Sequence, residues 1–220
     1  MKRAVVLLSG GLDSSTALFE AKRQGWQCTC LTFDYGQRHR KEIRAARQIA
    51  RAAGCFCNVV RIHLPWGGSA LTDRKIPMPL NRSLKEIGRG NIPSTYVPAR
   101  NTLFLSYAVS FAEAMGASAI FIGANALDFS GYPDCRPDYY RAFAEVIRRG
   151  TRAGVEGRPI RIITPLIRKT KAQIVHQALN LGVPLKKTWS CYLGAQRPCG
   201  KCDSCLLRAK GFQEAGVRDA

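Results

Sequence analysis

One stretch within the first twenty residues decides how this chain folds: Leu8-Ser9-Gly10-Gly11-Leu12-Asp13-Ser14-Ser15-Thr16. It follows an apolar, partly β-branched run at residues 4–8 (Ala-Val-Val-Leu-Leu), which is typical of a buried strand. It leads into residues 17–24, whose pattern predicts a helix. The chain therefore begins with a strand, a tight glycine turn and a helix.

The turn is suited to binding a phosphate group. Backbone N–H groups at a helix N-terminus have no partner within the helix, and the helix dipole favours an anion there. Two glycines let the backbone approach a ligand without an intervening Cβ. Further donors are the hydroxyl groups of Ser9, Ser14, Ser15 and Thr16. A turn that only connected a strand to a helix would need neither the glycine pair nor these hydroxyls.

Asp13 is the unexpected member of this turn, because a carboxylate repels phosphate. Its presence is explained if it caps the helix, or if it faces a metal ion or a nucleotide hydroxyl. The common phosphate loop ends in Gly-Lys-Ser/Thr, whereas this stretch contains no lysine. A different kind of phosphate loop is therefore expected.

Strand-like and helix-like segments alternate along the rest of the chain. Strands are predicted at 26–33, 57–62, 119–123 and 161–166, and helices at 40–53, 102–115, 138–149 and 172–181. This alternation predicts parallel βαβ units in a doubly wound, mostly parallel α/β sheet. We expect this α/β domain to occupy residues 1–185 and a small cysteine-rich appendage to occupy residues 186–220.

The alternation is interrupted between residues 64 and 100, where five prolines and four glycines occur. Loops of this length in a compact domain are usually functional or mobile. The segment ends at Arg100 and Asn101, directly before a predicted helix, where they are placed to meet a phosphate or a nucleobase. Alternatively, Asn101 serves as a plain N-cap.

Two other segments are candidates for ligand contacts. The polar loop 124–137 follows a predicted strand, at the end of the strand where open α/β sheets bind ligands. Lys169 and Lys171 precede the helix predicted at 172–181, which Thr170 is placed to cap. The two lysines either meet an anion at this helix N-terminus or point into solvent.

Composition limits the class of protein. The 220 residues include 34 Lys and Arg and 15 Asp and Glu, which gives a net charge of +19. A charge of this size favours binding of nucleic acid or of anionic small molecules, or it reflects only a solvated, arginine-rich surface. No apolar run approaches the roughly 20 residues that span a bilayer. The apolar run after Met1-Lys2-Arg3 is too short for a signal peptide, so we expect a cytoplasmic protein.

Four of the nine cysteines have metal-ligand spacing: Cys191, Cys199, Cys202 and Cys205. In a reducing compartment such a cluster favours a metal over disulfides. Four thiolates satisfy tetrahedral zinc with no open position, which predicts one structural Zn²⁺ per chain. The main alternative is an iron–sulfur cluster, but ferredoxin-type spacing places the fourth cysteine downstream of the other three, whereas here it lies upstream. A disulfide pair is the third interpretation.

Together these segments resemble the QueC family, the 7-cyano-7-deazaguanine synthases, over nearly the whole chain. Residues 9–14 are similar to the Ser-Gly-Gly-x-Asp-Ser pyrophosphate loop (PP-loop) of the N-type ATP pyrophosphatases, with Leu12 at a position that is more often polar. Residues 33–39 and 96–101 also match the family. The loop around Asp128 and the cysteine tail are specific to it.

The resemblance implies a Rossmann-like fold of the adenine-nucleotide α-hydrolase type and an ATP-dependent carbon–nitrogen ligase of queuosine biosynthesis. Its substrates would be ATP, 7-carboxy-7-deazaguanine and ammonia. ATP would activate the carboxylate, ammonia would give the amide, and activation of the amide oxygen would lead to the nitrile. Whether ATP leaves as AMP with pyrophosphate or as ADP with phosphate stays open, and a homodimer is expected.

The resemblance also implies roles for individual residues. Mg²⁺ would accompany ATP, with Asp13 as a direct or water-mediated ligand. Lys169, Lys171 or Arg100 would neutralise charge on the phosphates. The catalytic candidates are Asp13, Lys169 and Arg100. Candidates for substrate contact are Asp128, Asp134, Arg136 and Asn101. The implied ATP site comprises Leu8, Ser9, Gly10, Gly11, Leu12, Asp13, Ser14, Ser15, Thr16, Ala17 and Leu18.

Two other functions are weighed against this one. The high positive charge favours a PP-loop enzyme that thiolates tRNA or forms lysidine in it, although the chain has little room for an added RNA-binding domain. The cysteine tail alone would permit a non-catalytic zinc-ribbon nucleic-acid binder, which the phosphate loop argues against. Binding of tRNA is left open and is not expected to be required, and no membrane partner is expected.

Overall fold

A parallel sheet forms the centre of the molecule, whose computed structural model describes residues 1–38, 40–87, 92–127 and 131–219. Its five strands are β1 (Arg3–Leu7), β2 (Gln27–Asp34), β3 (Phe56–Arg61), β4 (Ala119–Ile122) and β5 (Arg161–Ile163). They lie in the order β3-β2-β1-β4-β5, with every neighbouring pair parallel. The predicted doubly wound sheet is confirmed, and its order reverses between β1 and β4, where such folds form a ligand crevice.

Helices connect the strands and cover the sheet. Those in the described residues are α1 (Leu12–Arg23), α2 (Lys41–Ala52), α3 (Leu84–Ile87), α4 (Arg100–Ala114), α5 (Pro137–Gly150), α6 (Arg152–Val155), α7 (Lys171–Asn180) and α8 (Asp203–Glu214). Short 3-10 turns occupy Pro133–Cys135 and Leu185–Lys187. Among the described helices, none combines the length and the apolar character that crossing a bilayer requires.

The side chains of β1 alternate between two apolar layers. Val5 and Leu7 belong to the layer that contains residues of α4 and α5. Ala4 and Val6 belong to the opposite layer, with residues of α1 and α2. Because both faces of the sheet are covered, the central strands β1 and β4 are nearly continuous apolar runs rather than alternating ones.

Most boundaries of the strands and helices differ from the sequence prediction by a residue or more, and two of these differences have a clear cause. Strand β5 ends at Ile163 instead of 166, since Pro165 has no N–H to donate to a ladder. Helix α4 begins at Arg100, because Ala99 is its N-cap and holds a left-handed φ of 52°. The alternative interpretation of Asn101 as a plain N-cap is therefore wrong. Thr170, in contrast, caps α7 in a reciprocal capping box with Gln173, as predicted.

The C-terminal segment packs directly on the α/β layers. Phe212 of α8 is buried in one apolar cluster with Leu12 of α1 and Ile174 of α7. Upstream of α8, the N–H of Trp189 donates to the carbonyl of Gly10 at 2.9 Å. The tail is thereby joined to the phosphate loop itself.

Candidate active site at the carboxyl ends of β1 and β4

The glycine turn after β1 is held between α2 and the end of β4. Gly10 has a φ of 82°, and a Cβ there would lie 2.4 Å from the backbone nitrogen of Ala46 and 2.6 Å from the carbonyl oxygen of Glu42. A Cβ on Gly123, after β4, would lie 2.7 Å from the carbonyl oxygen of Asp13. Both contacts are too short for any residue with a side chain, so the position of the loop depends on glycine at both sites.

The N-terminus of α1 remains available to an anion. Its N-cap, Gly11, makes no side-chain capping hydrogen bond. The Ser9 and Ser14 hydroxyls lie 3.0 Å apart beside this helix end, and both line the adjoining cavity. Backbone donors, hydroxyls and the helix dipole therefore converge at one place, as phosphate binding requires.

The other two hydroxyl groups of the turn donate hydrogen bonds to backbone carbonyls at the start of the helix. Ser15 donates to the Gly11 carbonyl at 2.7 Å, and Thr16 donates to the Leu12 carbonyl at 2.8 Å. The residues proposed for ATP thus form two groups. Those that line the cavity are Leu8, Ser9, Gly11, Leu12, Asp13 and Ser14, and those that support the turn from behind are Gly10, Ser15, Thr16, Ala17 and Leu18.

The cavity has a volume of about 320 Å³ and lies over the crevice between β1 and β4. The cationic side chains among its described lining residues are Arg100, Lys171 and Arg208. Aromatic residues line it as well, namely Phe33, Tyr35, Phe104, Tyr132, Tyr140, Trp189 and Tyr192. The site thus combines positive charge for phosphates with flat apolar surfaces for a ring system.

Lys171, at the start of α7, is paired with the acid of the phosphate loop. Its Nζ lies 2.7 Å from Asp13 Oδ2, while Asp13 Oδ1 is buried without a hydrogen-bond partner among the described residues. Lys169 is not part of the cavity lining; its backbone carbonyl accepts a hydrogen bond from Asn125. The structure therefore brings Lys171, and not Lys169, to the phosphate loop.

Arg100 enters the cavity from the first turn of α4. Its guanidinium donates to the Tyr35 hydroxyl at 3.3 Å and lies 5.9 Å and 5.8 Å from the ring centres of Tyr35 and Tyr132. Burial alone would lower the pKa of Arg100, but the neighbouring tyrosines raise it above its usual value. This guanidinium is a permanent positive charge on the wall of the cavity.

Of the four residues proposed for substrate contact, Asn101 is the one among the described residues that lines the cavity. Its side chain donates to the Asp134 carbonyl at 3.0 Å. Asp134 is buried, and its carboxylate accepts the Asn101 backbone N–H at 3.1 Å instead of lining the cavity. Arg136 is also outside the described lining. The prediction for Asp128 falls outside the described residues.

Sequence reasoning missed Glu42 and several tyrosines. Glu42 lies in the first turn of α2, where an acidic residue is common, so the sequence carries no signal of its place in the cavity. Tyr140 is 5% exposed and lines the cavity, and its hydroxyl has no partner among the described residues. A buried, unpartnered hydroxyl of this kind indicates a hydrogen bond to a ligand.

The four predicted metal ligands converge. The sulfur atoms of Cys191, Cys199, Cys202 and Cys205 lie within 4.8 Å of one another, so that they could hold a metal ion. Backbone N–H groups of Lys201 and Cys202 donate to the Cys199 sulfur at 3.4 Å and 3.3 Å. Such N–H···S contacts stabilise thiolate charge around a metal.

The cysteine cluster is connected to the cavity wall. Cys191 lies between Ser190 and Tyr192, which both line the cavity. On its other side, Arg82 forms an ion pair with the buried Asp203, and Asn81 donates to the Lys201 carbonyl at 2.8 Å. A metal in this cluster would therefore order one wall of the site.

The doubly wound parallel sheet, with a glycine loop between β1 and α1, defines a protein of the α/β class whose first turn resembles a PP-loop. Two solved structures share the fold. A 4-thiouridine synthetase–RNA complex with bound ATP is 20% identical with a TM-score of 0.53, and the match covers 98% of this chain and 50% of that one. The NMN synthetase of Francisella tularensis is 15% identical with a TM-score of 0.51, and the match covers 100% of this chain and 79% of that one. At these identities the similarity concerns the fold alone.

The chain belongs to the family described as "Queuosine biosynthesis protein QueC", which matches residues 3–216. It is 55% identical over 219 residues to the 7-cyano-7-deazaguanine synthase of Trichodesmium erythraeum (strain IMS101), an alignment that covers 99% of this chain and 98% of that protein. The 7-cyano-7-deazaguanine synthase of Anaeromyxobacter dehalogenans (strain 2CP-C) is 55% identical over 221 residues, and this alignment covers 99% of this chain and 94% of that protein.

Proposed function

We propose that the chain converts 7-carboxy-7-deazaguanine and ammonia to 7-cyano-7-deazaguanine at the expense of ATP. The observation that carries this proposal is the 55% identity, over 99% of the chain, to a protein named as that synthase. The cavity supports it, since a phosphate loop, cationic side chains and aromatic walls line one volume. The reaction belongs to queuosine biosynthesis, the process named for the family.

The chemistry explains why phosphate binding is needed. A carboxylate is a poor electrophile, and transfer of an adenylyl or phosphoryl group to it provides a leaving group. Ammonia then forms the amide, and activation of the amide oxygen allows its loss to give the nitrile. In this proposal Ser9, Ser14 and the α1 N-terminus bind the phosphates, and Lys171 and Arg100 offset their charge.

Asp13 is a suitable ligand for the Mg²⁺ that accompanies ATP. Its Oδ1 is buried without a partner among the described residues, and a carboxylate oxygen is a ligand that Mg²⁺ prefers. When bound, the ion would offset the negative charge of the phosphates. Lys171 holds the other oxygen of Asp13 and so orients the carboxylate.

We assign the deazaguanine ring to the aromatic part of the cavity. Tyr35, Phe104 and Tyr132 provide flat surfaces there, and the free Tyr140 hydroxyl provides a hydrogen-bond donor. Asn101 is the proposed polar contact from α4, and Asp134 positions it through two hydrogen bonds. Asp128 and Arg136 stay candidates for contact with the substrate.

The cysteine cluster is proposed to bind one structural Zn²⁺ per chain. Four thiolates and no open coordination position fit a structural rather than a catalytic zinc site. All nine cysteines are free, which suits the reducing cytoplasm that we propose as the location. A homodimer is proposed as the working form, with no requirement for tRNA.

Mass spectrometry of the purified, zinc-loaded protein tests the proposal. The protein is incubated with 7-carboxy-7-deazaguanine, ammonium, Mg²⁺ and ATP, and we expect the nitrile to form through the amide. The nucleotide product shows whether ATP is cleaved to AMP or to ADP. If no product forms from the free base, the net charge of +19 makes tRNA the next substrate to test, as for a tRNA-modifying PP-loop enzyme.

A further inference from the structure

Glu42 is one of two carboxylates among the described residues that line the cavity, the other being Asp13. Asp13 is ion-paired with Lys171 at 2.7 Å and is proposed to bind Mg²⁺, so its carboxylate is already engaged. Glu42 has no ion pair among the described residues. Its carboxylate accepts one hydrogen bond, from the side chain of Gln37 at 2.8 Å.

Gln37 holds that carboxylate in a defined orientation. It is buried, its side-chain oxygen accepts the Tyr35 backbone N–H at 2.8 Å, and its side-chain nitrogen also donates to the Phe33 carbonyl at 3.1 Å. A glutamine fixed by two backbone contacts is a rigid partner. No second described donor reaches the Glu42 carboxylate, so Oε2 remains open to a small ligand in the cavity.

The surroundings of Glu42 favour proton exchange near neutral pH. Burial raises its pKa to about 7, although Arg100 and the Gln37 hydrogen bond lower it in part. The negative charge of Asp34, at the end of β2, raises the pKa of Glu42 further. Among the residues that the structure describes, Arg100 and Asp34 are the charged groups that act on Glu42 from neighbouring elements, and Arg100 forms no ion pair with it.

The proposed reaction needs a proton acceptor. Near neutral pH ammonia is present mostly as ammonium, which has no lone pair for attack on carbon. We infer that Glu42 accepts a proton from ammonium bound in the cavity and thereby produces the nucleophile for amide formation. This inference rests on the proposed function and names a catalytic residue within it.

Ammonium gives one proton to the Glu42 carboxylate, and the resulting ammonia forms the new C–N bond to the activated acyl carbon. The C–O bond to the adenylyl or phosphoryl group breaks, and that group leaves with the bonding electrons. The attacking nitrogen loses a second proton to solvent, which leaves the neutral amide. Glu42 then returns its own proton to solvent.

The competing role for Glu42 is contact with the amidine-like edge of the deazaguanine, where a carboxylate also fits. The two roles differ in which half-reactions they affect. A base for ammonium serves amide formation only, whereas a ring contact serves both amide formation and conversion of the amide to the nitrile. Assaying the halves separately therefore distinguishes them.

The experiment compares the wild type with Glu42→Gln, with Glu42→Asp and with a control, Glu156→Gln, whose carboxylate pairs with arginines on the surface. Amide formation is measured from pH 6 to about 9.5 at fixed total ammonium, well across the raised pKa of Glu42, which is about 7. Conversion of the 7-amide to the nitrile is measured without ammonium. Thermal unfolding checks that each variant is folded.

For Glu42→Gln we expect amide formation to fall about 100-fold near pH 7 and to recover as pH rises, because free ammonia then replaces the missing base. Conversion of the amide should change less than about twofold. Glu42→Asp should retain part of the activity at pH 7, and the control should match the wild type.

The inference is overturned if Glu42→Gln keeps the wild-type pH profile, or if both half-reactions fall together with a higher KM for the deazaguanine. The second result would assign Glu42 to the ring. Absence of product from the wild type would instead contradict the proposed function itself, which separates the two failures.

Discussion

Lys171 Nζ lies 2.7 Å from Asp13 Oδ2, although the two residues are 158 positions apart in the chain. The ion pair joins the first turns of α1 and α7 at the phosphate loop. It explains how an acid is tolerated where phosphates are proposed to bind, because the lysine offsets the charge of the carboxylate. Both residues line the cavity, so their pairing is part of the site and not a surface contact.

Replacement of Lys171 by methionine should therefore impair the use of ATP. We expect Lys171→Met to lower kcat/KM for ATP about 100-fold, since one cation in a preorganised site contributes on that scale. Lys169→Met is the matched control, because Lys169 lies two residues away and outside the described cavity lining. Steady-state kinetics with ATP varied measures both, and a larger loss in Lys169→Met would reverse the assignment.

Gly211 of α8 should be intolerant of a methyl group. A Cβ there would lie 2.2 Å from Lys171 Cγ and 2.8 Å from Lys171 Cβ. We expect Gly211→Ala to destabilise the protein by about 1–3 kcal/mol through overpacking, even though alanine is the better helix former by about 1 kcal/mol. Chemical denaturation measures this change.

The control for that substitution is Gly150→Ala. A Cβ at Gly150, the last residue of α5, would meet nothing within 4 Å. This variant should be neutral or slightly stabilised. Equal stability of the two alanine variants would show that α7 and α8 adjust to the added methyl group without cost.

Loss of the metal should affect both stability and the cavity. We expect Cys202→Ser to abolish binding of one Zn²⁺ per chain and to lower the Tm, because metal binding contributes to folding free energy. Activity should fall as well, since Ser190 and Tyr192 flank Cys191 and line the cavity. Metal analysis by mass spectrometry and thermal unfolding are the measurements.

Cys55→Ser serves as the control for that experiment, because Cys55 is a free cysteine outside the cluster. It should retain the wild-type metal content. Iron in place of zinc in the wild type would favour the iron–sulfur interpretation of the cluster.

Glu42 should make the stability of the free protein depend on pH. Its folded-state pKa of about 7 lies above the value of 4.5 for an exposed glutamate, so the folded state holds the proton more tightly. Its contribution is fully present below about pH 4.5 and is lost as pH rises toward and through 7. At pH 8 we therefore expect Glu42→Gln to be more stable than the wild type by about 1–3 kcal/mol.

That difference should shrink to near zero below pH 4.5, where Glu42 is protonated in both states. Denaturation of the two proteins at a series of pH values, without ATP, gives the difference directly. A difference that is constant with pH would mean that the pKa of Glu42 is the same in the folded and unfolded states.

Much of the architecture was predictable because its causes are local. The alternation of apolar strands with amphipathic helices predicts the parallel sheet, and Thr170 as a capping residue predicts where α7 starts. The N-terminus of α4 was not predictable in this way. There Ala99 takes a left-handed conformation that nothing in its own residue type favours, and Asn101 turns to Asp134 instead of capping.

The sequence by itself determined the strand, glycine turn and helix at 3–23 and the four cysteines at metal-ligand spacing, since both depend on short-range backbone geometry and thiol chemistry. Only the tertiary structure decided that Lys171 rather than Lys169 reaches Asp13, and that Glu42 and Tyr140 line the same cavity. The physical reason is that a side chain's place in a site depends on how distant helices pack on the sheet. That packing is a property of the whole fold, and residue type and spacing along the chain do not encode it at any one position.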